Sequence, residues 1–161
     1  MYIKYLDKIY ELIYCGLVDK KVISTYYIEK TDKTFYNVSD YYAKDYSSTD
    51  PDIQDIYDVK FYIKWDSQLE SVITKWHIET CDYFTDGNVR LCHEGYLPGW
   101  KIVEKGLSET YLKAEKIEGY SVEYKYVVKD GKKLDEPLVV EKEVDRQEFD
   151  ELVEMYRSTN I

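Results

Sequence analysis

Apolar and polar positions alternate with a period of two over much of this chain, which is the pattern of half-buried strands. The fullest example runs from Tyr57 to Cys92. It reads as three strand-like runs, Tyr57–Trp65, Gln68–Phe84 and Val89–Cys92, joined by turn signals at Asp66-Ser67 and Thr85-Asp86-Gly87-Asn88. Taken as a two-residue turn, Asp86-Gly87 sets a register in which Phe84 faces Val89, Asp82 faces Leu91 and Cys81 faces Cys92. Side chains alternate along a strand, so Trp76, Ile78, Phe84, Val89 and Leu91 form a core face. The opposite face carries His77, Glu79, Cys81, Tyr83, Arg90, Cys92 and Glu94.

Other stretches repeat the pattern. Val22–Lys30 and Thr34–Val38 read as strands about a turn at Thr31-Asp32-Lys33. Trp100–Glu104 reads as a strand, and Glu109–Ile117 as a strand or a short helix. Tyr120–Val128 and Leu138–Val144 flank the hairpin signal Asp130-Gly131. Two stretches have helical spacing instead. Residues 2–15 place Tyr2, Leu6, Ile9 and Ile13 on one face, with Gly16 where a cap would sit. At the other end, Asp145-Arg146-Gln147-Glu148 has capping-box spacing, and Phe149, Leu152, Val153 and Tyr156 form an apolar stripe. Residues 39–56 lack periodicity and read as an exposed loop, with a short helical turn opening at Asp50-Pro51. The fold class expected is α+β: an antiparallel sheet of about six to eight strands, with an N-terminal and a C-terminal helix packed on it.

Length adds that 161 residues make a single globular domain, 1–161. Charge changes the picture more. The net charge is −10, and the cations are 19 Lys but only 3 Arg. Such a field repels nucleic acid and anionic membrane and favours basic partners. Scarce Arg also argues against a phosphate-gripping site. No apolar run reaches the 18 or so residues of a membrane span, and the N-terminus lacks the pattern of a signal peptide. The expected location is the cytoplasm.

The acidity is concentrated. Residues 40–58 hold six Asp against one Lys, and residues 134–154 hold nine acids against Lys142 and Arg146. On the last helix Asp150, Glu151 and Glu154 lie off the apolar stripe, at spacings that set neighbours roughly 5–6 Å apart. That is of the order of phosphate spacing along a nucleic-acid strand. The candidate partner-binding residues are therefore Asp40, Tyr41, Tyr42, Asp45, Tyr46, Asp50, Asp52, Asp55, Asp150, Glu151 and Glu154, the tyrosines adding rigid contact area. The functional expectation is a non-enzymatic protein that binds a basic partner, as a nucleic-acid mimic blocking a nuclease or another nucleic-acid-binding protein. Small acidic inhibitors carried by phages and mobile elements (anti-restriction and anti-CRISPR proteins) act this way, an analogy of size and charge without a motif.

Catalytic signals are sparse. His77 and His93 are the only histidines, and no hydroxyl, base and acid are placed together. The Glu-x-Glu-x-Lys opening of triphosphate-tunnel enzymes is met only in fragments, Glu123-Tyr124-Lys125 and Glu141-Lys142-Glu143, and the chain is not assigned to that family. Cys15, Cys81 and Cys92 make no disulfide framework. If opposed across a hairpin, Cys81 and Cys92 lie about 4.5–5.5 Å apart at Cβ, but a zinc site needs four close ligands, and no metal or other cofactor is expected. The alternative is a small-ligand site or enzyme on the polar hairpin face, lined by Glu79, Cys81, Arg90, Cys92 and Glu94. A third reading is a structural subunit that associates through its sheet edges.

Overall fold

The computed structural model describes residues 1–66 and 75–160. Twelve strands and one α-helix are found among them. The chain forms two compact units. Unit 1 comprises Met1–Val59, Tyr124–Val140 and Ser158–Ile161, and unit 2 comprises Lys60–Glu123 and Glu141–Arg157.

Unit 1 begins where the sequence predicts a helix, and that expectation is overturned. Strands β1 (Tyr2–Tyr5) and β2 (Lys8–Cys15) form a hairpin in which Ile3 pairs with Tyr10 and Tyr5 with Lys8. The turn is Leu6-Asp7, at φ 47° and 61°. Both periods fit these residues, and burial decides between them. Ile3, Tyr5, Tyr10 and Leu12 are buried, whereas Leu6, on the supposed helical face, is 51% exposed. Isoleucine and tyrosine are also strand formers, which favours the pleated choice.

The strands β3 (Lys20–Thr25), β4 (Tyr36–Val38) and β5 (Tyr41–Asp45), with the unit 1 residues of β6 (Ile53–Lys64), β11 (Gly119–Lys129) and β12 (Lys132–Val144), complete the unit 1 sheet, in the order β12-β11-β6-β1-β2-β3-β5-β4. Strand β4 pairs with β5 rather than returning to β3. Segment 39–56, expected as a loop, therefore holds β5 with Ala43 fully buried, and Asp50-Pro51 forms a turn instead of starting a helix. One core cluster gathers Ile3, Tyr5, Tyr10, Leu12, Ile23, Ile53 and Ile56. Another gathers Cys15, Val22, Val38 and Ala43. Val22 and Ile23 are neighbours on β3, so the sheet buries both faces there. Asp130-Gly131 turns β11 into β12 at φ 51° and 75°, as its dipeptide predicts. Strand β12 is the outermost strand of this sheet, and Leu138, Val139 and Val140 stay 45, 54 and 42% exposed.

In unit 2, β7 (Lys75–Ile78) pairs with Phe61–Lys64 of β6. A separate sheet has the order β8 (Val89–Glu94), β10 (Leu107–Leu112), β9 (Lys101–Glu104). The central hairpin expected from Asp86-Gly87 is thus corrected. A 3-10 turn at Thr80–Asp82 ends the incoming strand, Tyr83 rather than Phe84 bridges to Val89, and β8 takes β10 as its ladder partner. Trp76, Ile78, Val89 and Leu91 are buried as expected, but Phe84 is 39% exposed and Tyr83 takes its place inside. The predicted run 68–74 and the turn residue Ser67 lie outside the described residues. The helix α1 (Arg146–Thr159) follows its cap: the Asp145 carboxylate accepts the Glu148 N–H at 2.8 Å. Phe149, Val153 and Tyr156 are buried. Phe149 packs edge-on against Phe61 and Tyr83, with ring centroids 5.5 and 5.2 Å away.

With one helix and twelve strands among the described residues, the molecule is mostly antiparallel sheet rather than a sheet flanked by two terminal helices. The expected six to eight strands were too few because the first fifteen residues and segment 39–56 supply strands of their own.

Candidate functional site

The candidate acids of unit 2, Asp150, Glu151 and Glu154, are carried by α1, a support fixed by its cap and its aromatic contacts. Glu151 and Glu154 point outward, and Asp150 is half-buried. The Tyr83 hydroxyl donates to Asp150. Burial first, and this carboxylate second, push the Tyr83 phenol far above its ordinary value, so it stays a protonated donor. Glu154 pairs with Arg157 at 3.1 Å, and the same guanidinium donates to the carbonyls of Thr80 (2.6 Å) and Tyr83. Arg146 lies 3.8 Å from Asp150 and donates to the Asp86 carbonyl at 2.9 Å. Gly87 makes room for it: at φ +81° a Cβ there would stand 2.5 Å from the Arg146 guanidinium.

These contacts frame a groove of about 190 Å3 lined by Tyr83, Phe84, Thr85, Asp150, Val153, Glu154 and Arg157. Beside it Phe84 stacks on Tyr111, centroids 6.3 Å apart and planes 22° apart, with Tyr111 62% exposed. An open aromatic pair next to carboxylates on a fixed helix suits the aliphatic stem and cationic head of a Lys or Arg side chain. Of these groups the sequence identifies only the helix acids. Tyr83 and Phe84 trade places because the 3-10 turn at Thr80–Asp82 shifts the strand register, while Tyr111 and Arg157 are missed because β10 and the last turn of α1 reach this groove only through long-range pairing.

The acids of unit 1 have varied roles. Asp40 and Asp52 are exposed. Asp45 is held by Lys20 at 2.6 Å and by the Tyr36 hydroxyl at 2.7 Å, which together keep its carboxyl below the usual range. The Asp50 carboxylate accepts the Asp52 N–H at 3.0 Å within its own turn. Asp55 is buried, accepting the Asp130 N–H at 2.9 Å and facing Lys129 at 3.4 Å. It therefore braces the β11–β12 turn and offers nothing to a partner. Tyr41 and Tyr42 are half-buried, and Tyr46 packs against the core. Tyr41 donates to the Cys15 sulfur at 3.2 Å, and that bond, with burial, raises its phenol to about 12.

The alternative site is only partly assembled. Arg90, Cys92 and Glu94 share one face of β8. Arg90, however, is occupied by Asp82, with contacts of 2.8 and 2.5 Å. Cys81 sits in the 3-10 turn, not across a ladder from Cys92, whose partner is Glu109. Burial, then the Asp82 carboxylate, push the Cys92 thiol up, away from the reactive thiolate. Glu79 is turned toward His77 at 3.8 Å. Among the described residues no group of three or more His, Cys, Asp or Glu could hold a metal ion.

A further grouping is unannounced by the sequence. Trp65, Trp76 and Trp100 gather with His93 in unit 2, Trp76 stacking on Trp100 with centroids 5.5 Å apart. Their separation along the chain hides the cluster, although tryptophan is scarce enough to be noticed. No helix among the described residues is long and apolar enough to cross a membrane. Comparison with protein-family models, with curated proteins and with solved structures gives no match, so the site is read on its own chemistry.

Proposed function

We propose that this chain is a non-enzymatic interaction protein whose α1 face in unit 2 binds a basic surface on a partner, in the manner of a nucleic-acid mimic acting on a nucleic-acid-binding protein. The observation that carries the reading is the groove bordered by Asp150 and Glu154 beside the exposed Phe84–Tyr111 pair. Charge distribution supports it. Unit 2 holds 18 acidic against 11 basic residues, a net −7 of the chain's −10. Carboxylates on a fixed helix lose little freedom on binding, and the aromatic pair supplies the apolar contact that charge alone lacks.

The test is affinity capture from lysate with nuclease added, at low and raised salt, using the native chain and a Phe84→Ala/Glu151→Lys/Glu154→Lys variant. A nucleic-acid-binding protein retained by the native chain at low salt, and lost both at raised salt and with the variant, is the expected result. A catch indifferent to the three substitutions sinks the assignment to α1.

A further inference from the structure

Unit 1 contains a cavity that the acidic-surface reading does not use. Its volume is about 220 Å3. The floor is apolar: Leu12, Ile53 and Ile56 from the buried core, with Val127 and Val128 of β11 closing one side. Lys21 of β3 and Lys133 of β12 stand among the lining residues and are exposed. Neither ammonium is paired with a carboxylate among the described residues. Lys20 and Lys129, elsewhere in the same unit, are by contrast held by Asp45 and Asp55. The lining carboxylate Asp50 is engaged by the backbone of its own turn.

We infer that this cavity binds a short amphipathic anion, an acyl or aryl body ending in a carboxylate. The apolar floor takes the body, since burying it there removes hydrocarbon from water. The two free ammoniums take the head at the rim, where they flank an apolar recess in a strongly acidic chain. Size limits the body: the cavity lies below the roughly 300–1,000 Å3 of drug-sized sites, so a medium-length chain fits and a long fatty acid does not. The cavity belongs wholly to unit 1, and the floor side chains are held in the same core cluster that fixes β1, β2 and β6. It is thus preformed.

Octanoate, octanol and octylammonium make a matched set of probes. They are titrated into the chain carrying labelled Ile and Val methyl groups, with methyl shifts read by NMR. Octanoate is expected to shift Ile53, Ile56, Val127 and Val128 saturably. Octanol and octylammonium bind at least several-fold more weakly. Lys21→Glu with Lys133→Glu, both at exposed positions, weakens octanoate about tenfold, equivalent to about 1.4 kcal/mol, while the remaining methyl spectrum is unchanged. Three outcomes overturn the inference: equal affinity for the ammonium probe, shifts scattered away from these four residues, or octanoate binding that ignores the double charge reversal. Palmitate binding as tightly as octanoate would refute the size limit.

Discussion

Units 1 and 2 use the same side-chain chemistry for different ends. In unit 1 the Asp55 carboxylate is turned inward, where it accepts a backbone N–H at the β11–β12 turn and faces Lys129. In unit 2 Glu151 and Glu154 stand on the outer side of α1, and their contacts are with other side chains of the same helix, Gln147 and Arg157. A carboxylate removed from water must be fully partnered, and it then fixes geometry. One left in water gives up little on pairing and remains available to a partner. Negative sequence charge alone does not separate the two, because both lie in the acidic segments. Burial does.

This contrast is broken most strongly at Asp55. Asp55→Ala leaves the Asp130 N–H without its acceptor and the Lys129 ammonium with only the exposed Asp130 carboxylate at 3.9 Å, and is expected to lower stability by about 1.5–3 kcal/mol, measured by urea unfolding. A loss below about 0.5 kcal/mol would mean that Asp55 is no more structural than a surface acid. The helix cap lies between the extremes. Asp145→Ala removes the acceptor for the Glu148 N–H and should cost about 1 kcal/mol, seen as a lower unfolding midpoint, with Asp145→Ser restoring most of it. The smallest change in stability belongs to Glu151→Gln with Glu154→Gln, within about 0.5 kcal/mol of the native chain. The same pair should nonetheless lose salt-sensitive partner binding. Destabilisation there as large as at Asp55 would erase the distinction between the two units.

Local chemistry explains what could be read from the chain. Asp145 as cap, the Phe149–Tyr156 stripe and the Asp130-Gly131 turn each depend on residues a few positions apart, and each is found where the pattern puts it. The first fifteen residues satisfy two periods at once. Their turn, Leu6-Asp7, holds both residues at positive φ, a conformation that aspartate tolerates but that leucine does not announce. The Cys81–Cys92 pairing failed for a similar reason: one 3-10 turn at Thr80–Asp82 breaks the alternation from which the register was counted. For the candidate site, the helix acids were legible from helical spacing. Asp55 was misplaced because nothing in its local sequence foretells a bond to a backbone group 75 residues away. Phe84, Tyr111 and the cavity of unit 1 depend on long-range pairing and were beyond reach for the same cause.

The exposed strand β12 bears on how the molecule avoids its own kind. A border strand with Leu138, Val139 and Val140 open to solvent is a template on which another chain can add and stack into fibrils. Its sequence also carries the antidote. Pro137 immediately precedes the apolar triplet and cannot donate to a new ladder, while Lys132, Lys133, Glu141, Lys142 and Glu143 crowd both ends with charge. The residue least suited to a strand interior thus acts as a gatekeeper, keeping an otherwise adhesive border from seeding aggregates.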